Sequence, residues 1–172
     1  MQKLSLLAEN PEQTLTADLC DEYEDAQVVT GPFINYGNRR ACIGRVEVIM
    51  TQDDNSLVSA TLKESGDDRI LIVDNAGSTR CAMVGGDLAR AAHRNGWQGI
   101  IVNGAIRDVV ELQDVPISIF ALAACPRKSA KRGLGVRGEP IDLAGTPVQR
   151  GDIAAADPDG LIIIGALVFN ET

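Results

Sequence analysis

Aromatic residues are scarce in this chain: three Phe, two Tyr and one Trp in 172 residues. Its core must therefore be filled by Val, Ile, Leu and Ala. Histidine occurs once, as His93, and the four cysteines, Cys20, Cys42, Cys81 and Cys125, form no CxxC pair. That excludes the clustered ligands of an ordinary zinc site. Scattered cysteines instead fit small buried hydrophobes in a reducing, cytoplasmic setting. No stretch approaches 18 apolar residues, so no membrane span is expected. The start, MQKLSLLAENPEQ, lacks the long apolar run of a secretion signal. Positive charge is also in short supply: 16 Lys and Arg stand against 24 Asp and Glu, a net charge of −8. A general nucleic-acid binder carries a basic face, so direct nucleic-acid binding is not expected. There is no P-loop and no GxGxxG turn, which excludes the usual nucleotide and methyl-donor cofactor seats.

The length and a 45% hydrophobic content suit one globular domain. Residues 1–13 read as an N-terminal arm and residues 14–172 as the domain. Thr16–Tyr23 reads as a first helix, with Thr14 or Thr16 as its N-cap. Pro32–Asn38 is turn-like. Gly44–Met50 alternates as a strand does, and Asp54–Lys63 reads as a helix opened by an Asp/Asn cap. Arg69–Asp74 and Gly99–Asn103 are short apolar runs of the kind found in parallel strands buried on both faces. Between them Asp87–Arg94 reads as a helix stopped at Asn95-Gly96. This is a βαβ unit. Ile117–Leu122 is a further strand. The last third turns Gly- and Pro-rich, with a strand-turn-strand at Ile141–Val148. A turn at Asp157–Gly160 should have its glycine at positive φ, and Leu161–Val168 reads as a strand that can run into a helix.

Two segments carry chemistry. In Val84-Gly-Gly-Asp-Leu88 a loop with two glycines enters a helix, where unpaired N–H groups and the helix dipole can hold a carboxylate or phosphate. A tight capped loop is the plain alternative. Gly104-Ala-Ile-Arg-Asp108 follows the next strand. Neighbouring parallel strands share their C-terminal edge, so Arg107 and Asp108 should emerge beside Gly85, Gly86, Asp87 and Leu88. A solvated ion pair is the plain alternative there. Together they offer an anion seat, a guanidinium and a carboxylate, the set a 2-oxo acid needs. A divalent ion such as Mg²⁺ or Mn²⁺ on Asp108, with Arg107, would stabilise an enolate. Asp87 or Glu111 could orient a water or act as base. His93 reads as a surface or core-edge residue and Trp97 as core or interface. Pro126–Gly133 is the one basic cluster, either a landing patch for an acidic partner or an anionic substrate, or else a solvated loop or subunit contact.

Gly86, then twenty residues, then Arg107-Asp108-Val-Val-Glu111 resembles the G-x20-R-D-x2-E/D signature of the 4-hydroxy-4-methyl-2-oxoglutarate aldolases. Asp18–Asp21, Asp54–Leu57, Leu71–Ser78, Pro126–Ser129, Gly151–Ile153 and Ala156–Gly160 resemble the RraA-like proteins of the same superfamily. The resemblance spans residues 14–165. It implies an α/β fold of the swivelling β/β/α type and assembly as a homotrimer or dimer of trimers. It implies that Gly85, Gly86, Asp87 and Leu88 bind the substrate carboxylate, Arg107 the keto oxygen, and Asp108 the metal. It also offers two functions. One is a class II pyruvate aldolase that also decarboxylates oxaloacetate, favoured by the presence of Arg107, Asp108 and Glu111. The other is an RraA-type regulator that binds and inhibits ribonuclease E. Longer aldolases of the family bring a C-terminal acid into the neighbouring site. Glu171 is the late carboxylate here and nothing ties it to that role, so the acid that protonates the enolate is unassigned.

Overall fold

The computed structural model describes residues 16–171, together with Leu4, Leu7, Glu9 and Asn10. Thr14 and most of the expected N-terminal arm lie outside the described residues. The chain runs α1 (Thr16–Glu22), β1 (Gln27–Val28), β2 (Ile34–Asn35), β3 (Cys42–Met50), α2 (Ser56–Thr61), β4 (Ile70–Asp74) and β5 (Ala82–Val84). Then come α3 (Gly86–Arg94), β6 (Gly99–Ile106), α4 (Val109–Leu112), β7 (Ser118–Ala124) and β8 (Val136–Arg137). It ends with β9 (Ile141–Leu143), β10 (Thr146–Val148), β11 (Ile153–Asp157), β12 (Gly160–Ile164) and α5 (Ala166–Glu171).

Strand order is β1-β12-β11-β3-β4-β6-β7-β2, with β5 beside β6 and β8 beside β3. The strand β3 belongs to two layers. Its first half, Cys42–Arg45, pairs antiparallel with β11, and its second half, Val46–Met50, pairs parallel with β4. The strands β4, β6 and β7 continue the parallel layer, as the apolar runs predict. One aliphatic core lies between that layer and the helices, joining Leu71, Val73, Ile100 and Val102 to Val58, Leu62, Ala89 and Ala92. A second lies between the parallel and antiparallel layers, joining Ile70, Ile72 and Ile101 to Ile141, Leu143, Leu161 and Ile163. These are the three layers β/β/α. The far face of the antiparallel layer is covered in turn by α1 and α5, with Tyr23 stacked on Phe169 at 5.4 Å and Leu4 buried there.

The strands β2, β5, β8 and β11 are not expected from the sequence, and local details depart from its reading as well. Thr16 does not cap α1 from outside: it is the first helical residue, and its N–H and hydroxyl both donate to Asp157, at 2.6 and 2.8 Å. Asn55 sits at the N-cap of α2 without a side-chain cap bond, and Asp54 takes the Ser56 N–H instead, at 2.9 Å. The β11–β12 turn needs no positive φ at Gly160, because the Asp157 carboxylate accepts the Asp159 and Gly160 N–H groups at 2.8 and 3.3 Å. Pro32–Asn38 contains the short strand β2, and Gly96 does end α3 with φ 77°. Trp97 is core, with its ring under the Arg69 guanidinium at 5.0 Å, and His93 is exposed. Cys42 and Cys81 are buried, Cys20 and Cys125 only partly so, and all four are free thiols. Among the described residues no helix is long and apolar enough to cross a membrane.

Candidate active site

The C-terminal ends of β5 and β6 lie side by side, with Val84 paired to Ile106. The two sequence segments singled out above leave these ends together. Arg107 N–H donates to Val84 O at 3.0 Å, and the Asp108 carboxylate Oδ2 accepts the Gly86 N–H at 3.0 Å. The Arg107 Nε stands 3.5 Å from the same oxygen. A side chain at either loop position would displace the acids that stand against it. A Cβ on Gly85 would stand 2.5 Å from Asp108 Oδ2 and 3.1 Å from Arg107 Cγ, and one on Gly86 would collide with the Glu111 carboxylate. Asp108 holds left-handed backbone, φ 60°, an uncommon conformation for a residue with a side chain. That twist turns the chain from β6 into α4 and aims the carboxylate back at the glycine loop.

Ala89 is the first residue of α3 whose N–H finds an acceptor within the loop-helix unit, Gly85 O at 3.0 Å. Gly86 N–H is spent on Asp108. The Asp87 and Leu88 N–H groups are left as the first-turn donors, with the positive end of the helix behind them. They and Arg107 border an open cleft of about 1010 Å³, lined also by Asn55, Lys63, Arg90, Arg94, Lys128 and Lys131. So the structure brings Gly85, Gly86, Asp87, Leu88, Arg107 and Asp108 together at one cleft, whereas Glu111, expected there as a possible base, faces away from it. Glu111 lines a smaller groove of about 260 Å³ behind α3, shared with His93 and Asp114.

Sequence reasoning missed Arg90. It bridges the two acids that flank the loop, donating to Asp87 at 2.7 Å and to Glu111 at 3.0 Å. Its hydrogen bond and charge hold the Asp87 carboxyl below the usual carboxylate range. The signal was present, since Asp87 and Arg90 are three apart on a helix and face the same way. The basic segment proves to be a cleft wall: its residues 128–130 are bridged to Ala82 and Asp54, and Lys128 and Lys131 border the cavity. Two buried polar atoms beside the cleft, Asn55 Oδ1 and Ser129 Oγ, lack a protein partner.

Among the described residues no group of three or more His, Cys, Asp or Glu gathers as a metal cage. Asp108 offers one carboxylate with Oδ2 already committed to a backbone N–H. That suits a hydrated divalent ion, which takes one or two carboxylates and keeps several waters, and does not suit a closed structural site.

Residues 16–163 match the family model described as RraA-like, Aldolase/RraA. The chain belongs to the RraA-like family. A curated protein of Burkholderia mallei named "Putative 4-hydroxy-4-methyl-2-oxoglutarate aldolase" is 44% identical over 154 residues, covering 86% of this chain and 93% of that one. The solved structure of the RNA-processing inhibitor RraA from Thermus thermophilis is 42% identical. It has a TM-score of 0.86 and covers 88% of this chain and 93% of that one. A Geobacillus kaustophilus structure titled as an S-adenosylmethionine: 2-dimethylmenaquinone methyltransferase is 36% identical, again with a TM-score of 0.86, covering 88% and 95%. These RraA-like structures share the fold described above, a single mixed α/β domain. Their names span an enzyme and an inhibitor.

Proposed function

We propose that this RraA-like protein is a divalent-metal-dependent pyruvate aldolase that cleaves 4-hydroxy-4-methyl-2-oxoglutarate to two pyruvates and also decarboxylates oxaloacetate. The observation that carries this reading is the convergence of Arg107, Asp108 and the first turn of α3 on one cleft. The carboxylate of a 2-oxo acid is received by the Asp87 and Leu88 N–H groups. Arg107 donates to the keto oxygen and holds the negative charge that builds there as the adjacent C–C bond breaks. Asp108 would hold the ion, Mg²⁺ or Mn²⁺, whose Lewis acidity polarises the same carbonyl when bound. Asp87 is ionised at neutral pH and lies at the cleft mouth, where it accepts the proton of the 4-hydroxyl in the aldol cleavage. Decarboxylation needs no such base, because carbon dioxide leaves with no proton to remove.

The lyase reading is tested by pyruvate release from oxaloacetate and from 4-hydroxy-4-methyl-2-oxoglutarate, with and without Mg²⁺ or Mn²⁺. Metal-dependent turnover of either is expected, and its absence with both sinks the reading. We further infer a homotrimer or dimer of trimers in the cytoplasm, as the family resemblance implies, which sedimentation checks. The 42% identity to an RNA-processing inhibitor supports a second reading, a regulator that binds ribonuclease E. A pull-down with that enzyme decides it. Binding that survives Asp108→Ala separates the regulator from the lyase.

A further inference from the structure

The glycine loop has a guanidinium on each side. A Cβ on Gly85 would stand 3.2 Å from Arg107 Nε, and one on Gly86 would stand 3.3 Å from Arg90 Nη1. Two cations thus flank backbone positions one residue apart. Arg107 suits the reacting end of a 2-oxo acid, which leaves the purpose of Arg90 open.

The two partners of Arg90 are not equivalent. Glu111 reaches it from the smaller groove behind α3 and has a side chain 54% exposed. Asp87 reaches it from the cleft and has a side chain 98% exposed. With its acid partner almost wholly in water, such an ion pair holds weakly and exchanges freely even at 2.7 Å. Glu111 therefore orients the guanidinium, and Asp87 occupies the position an incoming anion can take. The cleft favours such an anion, since Lys63, Arg94, Lys128 and Lys131 also border it. Among the described residues no side-chain hydrogen bond or ion pair fixes any of these four. Of the cleft cations, Arg90 is the one placed by two bonds and free to trade one of them.

We propose that Arg90 determines specificity for 2-oxo dicarboxylates: it takes the second carboxylate of the substrate in exchange for Asp87, while Glu111 acts as its positioning residue. This rests on the lyase reading and adds the residue that reads the second carboxylate. A monocarboxylate leaves Arg90 with Asp87 and gains nothing from it. In oxaloacetate the carboxylate held by Arg90 is the one lost as neutral carbon dioxide, so that contact steadies the ground state at least as much as the transition state. It lowers KM without raising kcat.

The test is calorimetric titration of the Mg²⁺-loaded protein with 2-oxoglutarate, a diacid, and 2-oxobutyrate, a monoacid. The native protein is expected to prefer the diacid by about tenfold, the scale of one partly exposed charged hydrogen-bonded contact. Arg90→Met should erase the preference and leave 2-oxobutyrate binding within about twofold, Arg90→Lys should keep part of it, and Glu111→Gln should weaken it. With oxaloacetate, Arg90→Met should raise KM and leave kcat unchanged or higher. Equal weakening of both ligands by Arg90→Met marks a structural prop and overturns the proposal. A preference that survives Arg90→Met, or that is erased by Lys131→Met instead, overturns it too. Turnover of oxaloacetate without a diacid preference refutes the Arg90 assignment alone. A diacid preference without turnover refutes the lyase reading alone.

Discussion

Glu47 and Asp108 are acids at opposite extremes of one sheet. Glu47 sits within β3, its side chain fully buried, where Arg69, Arg137 and Arg150 approach the same carboxylate oxygen at 3.1, 3.0 and 3.5 Å. Arg137 also reaches Glu64 at 2.8 Å, so the cluster ties β8 and the loop after α2 to the strand that both sheet layers share. Asp108 is one-third exposed, stands on strained backbone, and is held by a single backbone N–H and one distant guanidinium. A saturated carboxylate in the interior fixes architecture. An undersaturated one at a strand end has capacity left for a ligand. Burial alone would have ranked them the other way, since the more buried acid is the less available for chemistry.

The contrast can be broken most forcefully at Glu47. Glu47→Ala strands three arginines around an empty position and should cost about 3–5 kcal/mol in urea unfolding. Turnover by the fraction still folded should be little changed. Asp108→Asn is the converse. Asn tolerates left-handed backbone and keeps an oxygen for the Gly86 N–H, so stability should move by less than about 1 kcal/mol. Metal-dependent pyruvate release should fall by about 100-fold or more. If Asp108→Asn unfolds the protein or leaves turnover intact, the division of labour between the two acids is wrong. Gly85→Ala acts on Asp108 and Arg107 indirectly, by pushing both side chains off the loop. A loss of about tenfold in kcat/KM is expected, with a stability cost near 1 kcal/mol.

The smallest effect sharpens the middle ground. Asp53, at the C-terminal edge beyond β3, accepts the Ser78 hydroxyl at 2.7 Å, the Asn75 amide at 3.3 Å and the Arg80 guanidinium. The Ser78 bond first, against burial and helped by Arg80 and Asn75, lowers its pKa from 3.8 to about 2. A depressed carboxyl pKa adds stability that is complete above its unfolded value and is lost as pH falls through the folded one. The thermal midpoint should therefore drop between about pH 4 and pH 2 more steeply in the native protein than in Asp53→Asn. Parallel slopes would place the acid sensitivity elsewhere.

Much of the candidate site was legible in the sequence because its logic is local. The glycines precede a helix and Arg107 and Asp108 follow the next strand; the short strand β5, which the sequence did not announce, pairs parallel with β6 and puts both on one edge. The aliphatic runs likewise announced the parallel layer. What stayed hidden depends on contacts between distant segments. Alternation along Gly44–Met50 does not show that Glu47 faces inward, because its three arginines come from positions 22, 90 and 103 residues further on. Nor does a propensity rule reveal that Thr16 hangs from Asp157, 141 residues away, or that this same carboxylate removes the need for positive φ at Gly160. Arg90 was visible as a helical neighbour of Asp87, but its bond to Glu111 required α4 to be folded against α3.

The twist at Asp108 also bears on how such a protein changes over generations. A left-handed residue bearing a side chain is a standing strain of about 1–3 kcal/mol, and glycine in its place would relieve part of it. Random substitution therefore drifts away from aspartate at this position unless something rewards keeping it. A descendant that gave up chemistry and kept only its fold would meet little resistance in shedding this carboxylate, whereas Glu47 would persist in both kinds of descendant. The acid that is easiest to lose is the one whose presence says most about selection.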